Sequence, residues 1–87
     1  MEYTREEVEK QAVSLAKSIS GLREEITIDS EFRNHLGFDE RELGDYFNNI
    51  EDIYGFEFSD EEADSLYRIK NLTIRNVSDY VYRYLIK

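Results

Sequence analysis

The single histidine, His35, is the one side chain whose charge ordinarily changes near neutral pH. Using it in catalysis requires a nucleophile or carboxylate that the sequence does not set beside it, so the simpler reading is a solvent-facing or hydrogen-bonded loop residue. Ser14, Ser18, Ser20, Ser30, Ser59, Ser65 and Ser78 offer hydroxyls. None stands in a recognisable nucleophile setting, and Ser59, with Glu62 three residues on, reads as a helix cap. With no cysteine, disulfides, thiolate metal sites and cysteine catalysis are excluded. No stretch matches the D-x-[DN]-x-[DN]-G calcium loop, and adjacent Glu61 and Glu62 point different ways on a helix rather than flanking a sugar. Asn71-Leu72-Thr73 has the form of a glycosylation sequon, but no secretion signal accompanies it. No nucleophile and base, metal-ligand set or phosphate loop emerges, so the chain is read as a non-enzyme with no metal site.

Charge carries more information than any single reactive group. The net charge is -9, and residues 37–64 hold 11 acids against 1 base, whereas residues 65–87 hold 1 acid against 5 bases. An acidic middle third repels nucleic-acid phosphates and anionic lipids and attracts proteins with basic patches. Hydrophobic residues make up 40% and aromatics 14%, too much apolar content for a disordered acidic tail. At 87 residues the chain is expected to form one domain, 1–87, whose core buries about 60 to 65% of the unfolded surface. A large internal active-site cavity is not expected. The N-terminus lacks the basic-then-apolar signal pattern and no apolar run nears the roughly 20 residues that span a bilayer. A soluble, cytoplasmic monomer is the expectation.

Four helices follow from capping signals and periodicity. Thr4 with Glu7 forms a capping-box pattern, and Val8, Ala12, Leu15, Ala16 and Ile19 share one face of a helix that stops near Gly21. From Leu22 to Phe38 the helical period disappears, and a long ordered loop is expected, pinned by Ile26, Ile28, Phe32, Leu36 and Phe38. Asp39 caps the second helix with Glu42 at the reciprocal position. Its stripe is Leu43, Phe47, Ile50 and Tyr54, with Tyr46 and Ile53 at the edge, and it ends at Gly55. Gly44, costing about 1 kcal/mol relative to Ala within a helix, suggests a close approach to the backbone. Phe56 and Phe58 alternate inward from an extended link to the Ser59 cap. The third, shorter helix starts near Asp60 and buries Ala63, Leu66, Ile69 and Tyr67. Thr73 caps the fourth, which presents Val77, Tyr80, Val81, Tyr84 and Leu85. Tyr82 points away from that face and, beside Arg75, suggests a small second contact surface.

The run from Leu36 to Asp64, LGFDERELGDYFNNIEDIYGFEFSDEEAD, resembles the centre of acyl carrier proteins: LG-x-DSL, an acidic helix, a glycine-marked turn, a short apolar segment and DEEA. The resemblance extends over about residues 4–85 and is specific over 36–64. It implies an all-α fold, an irregular four-helix bundle of the carrier-protein type with a long first loop. It also accounts for a first connection longer than compact domains usually carry.

Matching Leu36-Gly37 and Tyr54-Gly55 to the family pattern without a gap puts Glu40 at the family's phosphopantetheine-bearing serine, and Arg41 where the family has leucine. A carboxylate is not the hydroxyl that takes the pantetheine phosphate, so no cofactor is expected at this degenerate attachment position. The reading is a carrier-like domain that binds proteins through its acidic second helix, with Glu40, Glu42, Asp45, Glu51 and Asp52 as the partner-binding residues. Its partners would be proteins with basic patches, among them fatty-acid, polyketide or peptide-synthesis enzymes. Two alternatives stay open: a genuine acyl or peptidyl carrier with an altered attachment site, and a structural acidic helical domain.

Overall fold

The structure is a computed structural model and describes residues 3–21 and 25–86. Four helices follow in order: α1, Arg5–Ser20; α2, Glu40–Tyr54; α3, Asp60–Arg68; and α4, Ile74–Leu85. Among the described residues the single extended pairing is an isolated antiparallel bridge between Glu31 and Thr73. This is an all-α bundle with a long first connection, as the sequence implies. Leu22 lies outside the described residues.

Each helix begins at the predicted side chain. Asp39 and Glu42 form a reciprocal capping box at 2.8 and 3.2 Å, and Ser59 and Glu62 repeat it at 3.1 and 3.0 Å. Thr73 does the same with Asn76. At α1 the box is incomplete: the Thr4 hydroxyl accepts from the Glu7 amide, but the Glu7 carboxylate accepts a hydrogen bond from the Thr4 hydroxyl rather than from the Thr4 N–H. α2 ends at Gly55, whose φ of 71° belongs to the left-handed region that an L side chain resists.

The core forms where these helices bring their apolar faces together. α1 contributes Val8, Ala12 and Ala16, and its two alanines let α4 approach closely with Ile74, Val77, Ser78 and Val81. α2 contributes Leu43, Tyr46, Phe47 and Ile50, and α3 contributes Leu66. Tyr46, expected at the edge of the α2 stripe, lies at the centre with no exposed surface, while Ile53, on the same side of the helix, is 41% exposed. The difference is tertiary. The Tyr46 ring packs against Phe32 and Phe38 of the first connection and its hydroxyl reaches the Ala12 carbonyl of α1, but at Ile53 the seam between the helices opens into a groove lined by Glu7, Gln11 and Tyr54. Ile69 also departs from expectation: it lies beyond α3 as its C-cap, 37% exposed, because the helix stops at Arg68.

The first connection is held by its side chains and by its carbonyls. Ile26, Phe32, Leu36 and Phe38 are buried, and Ile28 is half-buried. Ser30 and Ile28 carbonyls accept the Ile74 and Arg75 amides at 3.1 and 2.7 Å, and the Leu72 carbonyl accepts the Phe32 amide at 3.0 Å. Two amides of the first turn of α4, which have no partner inside their own helix, are thereby satisfied. Residues 28–32 thus act as a cap for α4, which explains how a stretch without regular structure holds its place.

Candidate interaction surface at the second helix

At about 100° per residue, α2 turns Leu43, Phe47 and Ile50 inward and carries Arg41, Asp45, Asn48 and Asp52 along the opposite ridge. These four are exposed. Glu40, the first residue of the helix, is exposed on the flank that also carries Gly44 and Glu51. Glu42 lies on the other flank. The five predicted contact residues therefore do not form one stripe. Asp45 and Asp52 share the ridge, Glu40 stands beside it, and Glu42 and Glu51 are half-buried.

The two half-buried carboxylates have work inside the fold. Glu42 completes the Asp39 capping box. Glu51 accepts the Phe58 amide at 2.7 Å, fastening the extended link to α2. That bond offsets the unfavourable placement of a carboxylate near the negative end of the helix dipole. Glu40 and Glu42 sit at the opposite, favourable end.

Tyr67 of α3 closes the Glu40 flank. Its ring meets Phe47 edge-on at 5.1 Å, and a Cβ added at Gly44 would lie 3.3 Å from its hydroxyl. This is the close approach that the mid-helix glycine signals. Burial pushes the Tyr67 hydroxyl upward from its ordinary range, and the Glu40 carboxylate pushes it further the same way, against the pull of Arg33. Arg33 in turn donates to the carbonyls of Tyr67 and Ile69 at 3.1 and 3.3 Å, holding the end of α3. Sequence reasoning missed Arg33, because nothing local marks a loop arginine that reaches carbonyls more than thirty positions away.

The second contact surface expected at Tyr82 and Arg75 takes a different form. Tyr82 is half-buried, with the Arg5 guanidinium 4.9 Å from its ring centre. Arg75 is paired with Asp29 at 2.7 Å and Glu9 at 3.7 Å, and Arg5 with Asp79 at 2.6 Å. The basic charge near the start of α4 is thus largely neutralised within the molecule.

Around the α2 start, Asp39, Glu40, Arg41 and Glu42 present carboxylates and a guanidinium, and residues 31–58 contain no serine or threonine. The bordering hydroxyls are engaged: buried Ser30 accepts the Thr27 amide, and Ser59 caps α3. Tyr46 is enclosed, its hydroxyl pushed upward by burial. Among the described residues no three His, Cys, Asp or Glu side chains converge as a metal-ligating group, and no helix is long and apolar enough to cross a membrane.

No family model matches the chain. An acyl carrier protein of Coprothermobacter proteolyticus is 32% identical over 69 residues, covering 78% of this chain and 84% of that protein. With four capped helices, a long pinned first connection and an acidic second helix already in place, this likeness assigns the family: the chain belongs to the acyl carrier proteins.

Proposed function

We propose that this member of the family serves as a protein-binding module without a phosphopantetheine arm. The observation that carries the reading is Glu40, exposed at the first position of α2, immediately after the Asp39 cap. A pantetheine arm is joined through a phosphodiester to an alcohol oxygen, and the residues at this helix start do not fit that group because none bears a hydroxyl. A carboxylate there instead adds fixed negative charge, about one unit where a phosphate carries one to two.

The exposed ridge and flank, Asp45, Asp52 and Glu40, form the docking surface, while Glu42 and Glu51 support it from within the fold. Proteins with basic grooves are the matching partners, and the likeness to an acyl carrier protein favours synthesis enzymes among them. Positive partner surfaces would be drawn to this face at a salt-dependent rate.

Coexpression with a phosphopantetheinyl transferase, followed by intact-mass measurement, tests the proposal. The wild-type chain is expected to gain nothing. A mass gain of one phosphopantetheine on the wild type would overturn the reading in favour of a genuine carrier modified elsewhere. Glu40→Ser run in parallel tells whether the nucleophile alone has been lost or the modifying enzyme's recognition surface as well.

A further inference from the structure

The turn that delivers the first connection to α2 contains a hydrogen bond with a built-in charge condition. The Glu31 amide donates to Nδ1 of His35 at 2.8 Å. Because the amide is a donor, Nδ1 must present its lone pair, which requires a neutral ring with its proton on Nε2. We propose that His35 is a pH-operated latch on the α1–α2 connection: the neutral ring closes the 31–35 turn through the Glu31 amide, and the protonated ring releases it.

Several bonds radiate from this turn. The Glu31 carbonyl accepts the His35 and Leu36 amides at 3.0 and 3.1 Å, and Glu31 pairs with Thr73 at the start of α4. One residue on, Phe32 is fully buried, and its carbonyl accepts the Phe38 amide at 2.8 Å, just before the Asp39 cap. Loosening at Glu31 therefore reaches the bridge to α4 on one side and the entry to α2 on the other. His35 itself is exposed, so its ring has open space to leave the turn.

The charged groups around the ring determine where an imidazolium would go. Within the turn, the Glu31 carboxylate accepts from Asn34 at 2.5 Å, and Arg33 is directed at the carbonyls of α3. Glu25 and Asp29 line the same hollow as His35. From α4, Arg75 neutralises Asp29 and also reaches Glu9 of α1. Hydrogen bonding from Arg75 holds the Asp29 carboxyl below its ordinary range, so its charge is committed to that pair. Glu25 has no partner among the described residues and is the open carboxylate for a released imidazolium. A bond made only by the neutral ring is present while Nδ1 keeps its lone pair and is lost once that nitrogen takes up a proton.

Ring nitrogen chemical shifts of the full chain give the tautomer and charge of His35, and hydrogen exchange reports the Glu31 amide. The ring is expected to carry its proton on Nε2 at about pH 7.5. Glu31 protection, corrected for the intrinsic pH dependence of exchange, should fall about fivefold by about pH 5, the loss expected for one hydrogen bond, while Ile50 keeps its protection. In His35→Asn the amide oxygen accepts without titrating, so Glu31 protection should become flat with pH. A proton on Nδ1 at neutral pH, or unchanged Glu31 protection across the wild-type titration, overturns the latch. So does a folded His35→Asn variant that retains the wild-type dependence, and the wild-type measurements decide alone should that variant not fold.

Discussion

The Tyr46 hydroxyl of α2 donates to the Ala12 carbonyl of α1 at 2.8 Å, inside a core where its ring also lies 4.8 Å from Phe32. One side chain thus joins the acidic helix, the first helix and the long connection. Because it is fully buried, its packing and its polar tip both count.

Tyr46→Phe removes the hydroxyl and keeps the ring. The Ala12 carbonyl lies inside α1 and keeps its own helical bond, so no buried donor is stranded and the expected cost is about 1 kcal/mol in urea unfolding. Tyr46→Ala leaves a cavity as well and should cost about 3 to 5 kcal/mol, enough to threaten folding at this size. Burial raises the Tyr46 hydroxyl above its ordinary value of 10.0, so the folded state favours the protonated phenol. That contribution is complete below pH 10 and lost as pH climbs above it. Wild-type stability should fall on alkaline titration, and Tyr46→Phe should fall less steeply.

Acid acts through Glu62. Hydrogen bonds from the Ser59 backbone, and then from the Ser59, Tyr84 and Tyr80 side chains, hold its carboxyl below the ordinary 4.5. A depressed carboxyl contributes stability above its unfolded value, and the contribution disappears as pH drops through the folded one. Glu62→Gln should therefore flatten the decline in thermal midpoint below pH 4.5. An unchanged acid limb would show that other carboxylates govern it.

Charge reversal on the α2 ridge separates docking from folding. Asp45→Lys with Asp52→Lys should change stability by less than about 1 kcal/mol, since both are exposed and make no side-chain bond among the described residues. The pair should weaken binding to a basic-surfaced synthesis enzyme and reduce the salt dependence of that binding. Glu42→Lys is a poorer probe because it also removes half of a capping box, at about 1 kcal/mol. Titration calorimetry at two salt concentrations measures the effect, and equal affinity for the reversed and wild-type chains would remove α2 as the docking face.

Arg33→Gln should release the end of α3. Its bonds to the Tyr67 and Ile69 carbonyls are exposed, so the expected loss is at most about 1 kcal/mol. The α3 amides should exchange several-fold faster while those of α1 and α4 keep their rates. Uniform acceleration across all four helices would show that α3 is no separate unit.

Helix positions were legible in the sequence because capping acts over three or four residues. Thr4, Asp39, Ser59 and Thr73 each lie beside the amides they satisfy, and Gly21 and Gly55 end their helices by backbone conformation alone. The α2 ridge was legible for the same reason, since helical period assigns Asp45 and Asp52 the side opposite Leu43 and Ile50. Depth along a face was not. Tyr46 and Ile53 are seven residues apart on one side of α2, and only the packing of α1 and the first connection around Tyr46 buries the first while the second stays exposed. Nor could local patterns show that Glu51 holds Phe58, Arg33 holds α3 or Arg75 joins Asp29 to Glu9, because each bond joins atoms whose meeting depends on the packing of other elements. Sequence by itself determined where the four helices start, where α1 and α2 stop and which way their charge faces. Tertiary structure decided which of those charges are free for a partner and which are already committed to the fold, because a carboxylate that completes an internal hydrogen bond must lose it before it can serve anything else.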